Sequence, residues 1–123
     1  MIPSAEALIE GWAFLARRYG LSGAVDARAV GRVVALARAC AAGAEADEPA
    51  ALFFALSREP EAFAGGWRRA TEVFPSAHAH ALGWTLDATP LEVANQRLAV
   101  YAGRAGFEDT RAWFAARLRP SSR

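Results

Sequence analysis

The sequence predicts an all-α protein: a compact bundle of about six helices that forms a single domain over residues 1–123. Alanine, leucine and arginine dominate the composition, and runs of β-branched residues are almost absent, which favours helices over strands. Apolar residues recur at helical spacing in several segments that glycine or proline separates. A chain of 123 residues can bury a core without disulfides or structural metals.

The first two helices are predicted from their N-caps and apolar stripes. Ser4 can cap a helix that runs to about Tyr19, and Asp26 can cap a second helix that ends near Gly43. Apolar side chains lie on one face of each helix: Leu8, Trp12, Leu15 and Tyr19 in the first, and Val30, Val33, Val34, Ala37 and Ala41 in the second.

The third helix should begin after Asp47 as its cap, with Pro49 in its first turn. A fourth and central helix should start near Gly66 and run to Leu82. Because Pro75, inside this helix, removes one hydrogen bond and clashes with the preceding turn, we expect a kink or a break near Phe74.

The strongest start signal lies before the fifth helix. Thr89 can cap it, Pro90 suits its first position, and Glu92 can complete a capping box. This helix should stop at Gly103, and a last helix should cover about Glu108–Leu118.

Charge and cysteine content exclude several classes of function. The formal net charge is +1, which does not favour a nucleic-acid partner, and the absence of lysine excludes Schiff-base chemistry and a P-loop. No apolar run approaches the roughly 20 residues of a membrane span, and the N-terminus does not resemble a secretory signal. The single cysteine, Cys40, cannot form an internal disulfide and reads as a small buried apolar residue. We therefore expect a cytoplasmic protein without a membrane partner.

The stretch from Phe63 to Arg69, Phe-Ala-Gly-Gly-Trp-Arg-Arg, stands directly before the predicted fourth helix. It resembles the active-site loop and helix start of the Fic/Doc (death-on-curing) family, whose motif has the form His-x-Phe-x-(Asp/Asn)-(Ala/Gly)-Asn-Lys-Arg. Aligned without a gap, Phe63, Gly66 and Arg69 match this motif, and Arg68 replaces its lysine.

The three motif positions that carry the chemistry are changed. Glu61 stands at the histidine position, or Glu59 if the alignment is shifted to match Pro60. Gly65 stands at the acidic position and Trp67 at the asparagine position. The resemblance therefore implies a degenerate member of the family.

Further short matches support the resemblance over most of the chain. They occur in the family's order, at 17–23, 33–39, 83–87 and 107–118. The segment between Ala41 and Pro49 resembles a shortened form of the flap that aligns the target polypeptide in family members.

The resemblance implies a bacterial toxin–antitoxin setting and ATP-dependent chemistry. Family members use ATP and magnesium to transfer an AMP or phosphoryl group to a protein hydroxyl, with the histidine as general base and the acid holding the metal. At the acid's position, Gly65 offers no oxygen to a metal. We therefore expect no cofactor, unless an active transferase survives in which Glu61 replaces the histidine.

Three interpretations stay open. The first is an inactive relative that binds a protein partner, such as an antitoxin or a second copy, or a phosphate-type anion. The candidate anion site consists of Gly65, Gly66, Arg68 and Arg69 at a helix start, where backbone N–H groups favour negative charge. Trp67 and Phe63 are candidates for a pocket plug or a partner contact. The second interpretation is the active transferase, and the third is a structural interaction protein or homodimer with an exposed apolar face.

Overall fold

The computed structural model describes residues 1–121, which form six α-helices and one small two-stranded sheet. The predicted all-α bundle of about six helices is therefore confirmed. In chain order the elements are α1 (Ala5–Tyr19), α2 (Ala27–Ala41), a short 3-10 turn (Glu45–Asp47), α3 (Glu48–Ser57), α4 (Trp67–Ala81), β1 (Trp84–Leu86), α5 (Pro90–Tyr101), α6 (Phe107–Arg117) and β2 (Leu118–Pro120).

Three of the predicted N-caps form the expected hydrogen bonds. The Ser4 hydroxyl accepts from the backbone of the first turn of α1, and the Asp26 carboxylate accepts twice from the first turn of α2. Thr89 and Glu92 form the complete capping box of α5. The sequence signals for these helix starts are therefore confirmed.

Three details differ from the predictions. Helix α2 ends at Ala41, two residues before Gly43, and Ala42 adopts a left-handed conformation as its C-cap. Asp47 precedes α3 but forms no capping hydrogen bond, because the 3-10 turn already leads into the helix. Helix α4 continues through Pro75, so the expected break is wrong: the ring is buried and packing of the helix against α3 outweighs the lost hydrogen bond.

Helix α3 is the most enclosed element of the bundle. All ten of its residues are buried, and it contacts α2, α4, α5 and α6. The helix predicted to start near Gly66 is present as α4, and it buries one face, formed by Ala70, Thr71, Pro75 and Ala79. The larger part of the core lies between α1, α2, α3 and the loop that precedes α4.

The small sheet was not predicted. Strands β1 and β2 pair antiparallel, with Thr85 opposite Arg119, and connect the segment after α4 to the segment after α6. Each strand has three residues and is largely exposed, so neither carries the alternating apolar pattern that indicates a strand. As a result, α6 ends at Arg117 rather than at Leu118.

Candidate functional site at the start of α4

The loop between α3 and α4 is fixed to the core by Phe63. This side chain is 1% exposed and lies between Trp12 and Phe74, at ring-centroid distances of 5.1 and 5.6 Å. The loop then turns into α4 through a 2.8 Å hydrogen bond from the Gly66 N–H to the Phe63 carbonyl. Phe63 is therefore a core residue, and its predicted role as a partner contact is wrong because its ring cannot be reached from the surface.

Two adjacent glycines allow the loop to approach α1 and the segment after it. A Cβ on Gly65 would lie 2.6 Å from the Cβ of Ser22, and a Cβ on Gly66 would lie 2.1 Å from Cη2 of Trp12. Both distances are shorter than any real contact of a Cβ, so only glycine fits at either position.

The close approach at Gly65 bears directly on the metal that the family resemblance implies. Ser22 fills the space into which a side chain at Gly65 would extend, so an acidic side chain has no room there. In the described part of the chain, no group of three or more His, Cys, Asp or Glu side chains could hold a metal ion. The residues at this position therefore do not fit a family-type magnesium site.

The first turn of α4 has no side-chain cap. Gly66 provides no side chain that could cap the helix, and no side chain of residues 1–121 accepts from the N–H groups of Trp67, Arg68 or Arg69. The turn carries arginines and no acid. Positive side chains beside the positive end of the helix dipole are unfavourable unless an anion is bound. We call this region, residues 65–69, the α4 start.

The two arginines of the α4 start are held differently. Arg68 is exposed and its Nε lies 3.7 Å from a carboxylate oxygen of Glu72. The guanidinium of Arg69 lies over the ring of Tyr19, 4.5 Å from its centroid. Both arginines belong to the uncapped first turn of α4, and each already has a partner within the chain: Glu72 for Arg68 and the ring of Tyr19 for Arg69.

Trp67 is part of a packed cluster and is half-buried. Its Nε1 donates a 3.0 Å hydrogen bond to the carbonyl of Leu56, and the edge of its ring meets Tyr101 at 5.3 Å. The guanidinium of Arg97 lies 5.4 Å from the centre of the same ring. Trp67 therefore fills the space between the end of α3 and the side of α5, and its remaining exposed surface faces outward beside Tyr101.

Sequence reasoning missed Arg97, which is 5% exposed. Its Nη1 donates to the Thr71 hydroxyl at 3.2 Å and lies 3.8 Å from Glu72, whereas its Nε has no partner within residues 1–121. Burial lowers the pKa of the guanidinium, and the Glu72 charge partly offsets this effect. An available signal was its spacing from Val93 and Val100, the two buried apolar residues on the same face of α5.

Both glutamates that could occupy the histidine position pair with Arg32. The guanidinium donates to Glu59 at 2.5 Å and to Glu61 at 3.1 Å. A hydrogen bond from its own backbone N–H, one shared with Glu59 and the pairing with Arg32 lower the pKa of Glu61 below its ordinary value. A general base works best with a pKa near the ambient pH, so the lowered pKa makes Glu61 a poor replacement for histidine.

Comparison with models of protein families found none that matches this chain, and searches of curated proteins and of solved structures found no match either. Over residues 1–121, no helix combines the length and the apolar character that a membrane crossing requires.

Four surface clefts, with volumes of about 190 to 370 Å³, lie away from the α4 start. None of these four is lined by a residue between positions 58 and 71. Ligand pockets for drug-sized molecules usually enclose most of the ligand. A shallow contact with a small anion, or with an anionic group on a protein, suits the α4 start better than an enclosed nucleotide does.

Proposed function

We propose that this chain is a Fic/Doc-like protein without transferase activity that binds a phosphate-type anion, or an anionic group of a protein partner, at the α4 start. The single observation that carries the proposal is the uncapped first turn of α4, which has two arginines beside it and no acid within it. Backbone N–H groups, the helix dipole and guanidinium groups all favour negative charge at one place.

Two positions that the transfer reaction needs are unsuited to it in this chain. The pKa of Glu61 is lowered and its carboxylate pairs with Arg32, so proton abstraction near neutral pH is disfavoured. Gly65 cannot be replaced by a metal-binding acid without moving Ser22. We further propose that the chain keeps a Fic/Doc-like scaffold within a toxin–antitoxin system, where it binds an antitoxin or another partner.

Calorimetric titration with inorganic phosphate tests the proposal. We expect heat of binding for the wild-type chain and its loss in the double variant Arg68→Ala/Arg69→Ala. Arg28→Ala is a matched control, because Arg28 also lies in the first turn of a helix, α2, whose N–H groups are already capped by Asp26. Equal binding by the double variant and the wild type contradicts the proposed site.

A further inference from the structure

Helix α5 exposes a row of large apolar side chains, of which Tyr101 also meets the ring of Trp67. Leu91, Leu98 and Tyr101 are 69%, 48% and 57% exposed. Together with the half-buried Ala94 they follow one another at spacings of three, four and three residues. This is the spacing by which a helix presents one continuous seam to another helix. We call these four residues the α5 seam.

The α5 seam is complementary in shape to itself when two copies run antiparallel. In that arrangement the small Ala94 lies opposite the large Leu98 of the second copy, and Leu91 lies opposite Tyr101. A parallel arrangement places Ala94 opposite Ala94 and leaves a gap between two larger pairs. Large residues packed against small ones fill the space between helices better.

Charge complementarity at the two ends of the seam also favours the antiparallel arrangement. Asp87 precedes α5 and Arg104 follows it; both are exposed, and neither forms an ion pair within residues 1–121. Antiparallel pairing brings each Asp87 near the Arg104 of the second copy, whereas parallel pairing places like charges together. No charged side chain interrupts the exposed face from Leu91 to Tyr101.

We propose that this protein forms a two-fold homodimer through the α5 seam, with the two helices antiparallel. A single helix face buries less than the roughly 800 Å² per partner that is typical of stable complexes. The dimer is therefore weak, with a dissociation constant in roughly the micromolar to millimolar range. Dimerisation does not require the anion site, although Tyr101 contacts Trp67 and places the seam beside the α4 start.

Sedimentation velocity over a range of concentrations tests the dimer. We expect the wild-type chain to shift from monomer to dimer, and Leu98→Asp to stay monomeric. Phe14→Asp on α1 is the matched control, because Phe14 is similarly exposed, at 58%, but lies outside the seam. A wild-type chain that stays monomeric up to about 1 mM overturns the proposal.

A charge-reversal cycle tests the antiparallel arrangement and depends on no core residue. Arg104→Asp should weaken the dimer by about tenfold, because Asp87 then faces a like charge, and Asp87→Arg in the same chain should restore it. Parallel pairing predicts no such rescue, so an additive effect of the two changes overturns the arrangement. Phosphate at saturating concentration should leave the dissociation constant of the dimer unchanged. The dimer can therefore be accepted or rejected whether or not the α4 start binds phosphate.

Discussion

Trp12 of α1 occupies the space that any side chain at position 66 would need, because its Cη2 lies 2.1 Å from the place of a Cβ on Gly66. The indole is fully buried, and its Nε1 donates to the carbonyl of Ser22 at 3.2 Å. The ring cannot move without disturbing the core around Phe63. The position of the α4 start is therefore set by tertiary packing against α1.

Substitution of Gly66 should destabilise the protein through this contact. We expect Gly66→Ala to lower the free energy of unfolding by about 2 kcal/mol or more, because the new methyl group overpacks against the Trp12 ring. Gly31→Ala is the control: Gly31 lies inside α2 with nothing within 4 Å of its Cβ position, so alanine should stabilise that helix by about 0.5–1 kcal/mol. Urea denaturation measures both, and equal stability of Gly66→Ala and wild type contradicts the steric argument.

Trp67 should stabilise the fold more through the packing of its ring than through its hydrogen bond. Trp67→Phe keeps an aromatic ring beside Tyr101 but leaves the Leu56 carbonyl without its donor, so we expect a loss of about 1 kcal/mol. Trp67→Ala also removes the packing against Arg97, and we expect a loss of about 3 kcal/mol. Thermal and chemical denaturation of the two variants measure the difference, and equal losses would assign the main contribution to the hydrogen bond.

Glu48 should make stability depend on acid pH. Burial raises the pKa of its carboxyl, but hydrogen bonds with the Met1 amino group and with His78, both at 2.8 Å, outweigh burial and hold the pKa below its ordinary value of 4.5. Because the pKa is lower in the folded state, the carboxylate stabilises the fold above about pH 4.5. This stabilisation is lost as the pH falls through the folded-state pKa.

The measurement for Glu48 is the free energy of unfolding from neutral pH down into the acid range. Glu48→Gln should be less stable than wild type at neutral pH, and the difference should shrink as the pH falls. Glu10→Gln, at an exposed position on α1, is the control and should follow the wild-type curve. A constant difference in the free energy of unfolding between Glu48→Gln and wild type at every pH would contradict a contribution of Glu48 to the pH dependence.

Incubation with labelled ATP and magnesium tests whether catalysis survives. With a cell extract as the source of target proteins, we expect no label on any protein beyond that seen with the extract alone, because Glu61 is a weakened base and Gly65 has no metal-binding side chain. Label that appears with the wild type and disappears with Glu61→Ala would establish the active transferase instead. Arg32→Ala tests whether the ion pairs suppress activity, because it releases both Glu59 and Glu61 from the guanidinium.

The helices could be predicted from the sequence because the residues that start them act locally. Ser4, Asp26 and the capping box of Thr89 and Glu92 act on backbone groups a few residues away, so their geometry is independent of the rest of the fold. The sequence could not show that α4 continues through Pro75, since packing against α3 decides it. The β1–β2 pair was hidden for the same reason: its strands lie more than thirty residues apart in the chain.

The candidate site was predicted in position but not in structure. The motif correctly placed a loop and a helix start at Gly66, and the two arginines lie on its first turn. It could not show that Phe63 is buried, or that Ser22 and Trp12 require glycine at positions 65 and 66. Those contacts join segments distant in sequence, as does the contact between Arg97 and Trp67.

Backbone amide NMR during a titration with inorganic phosphate is the sharpest test of an anion site at the α4 start, because it reports on the N–H groups themselves. We expect saturable shifts that are largest for the amides of Trp67, Arg68 and Arg69, with little change in the capped first turn of α2. Shifts that fail to saturate, or that are as large in α2 as in α4, would contradict an anion site at the α4 start.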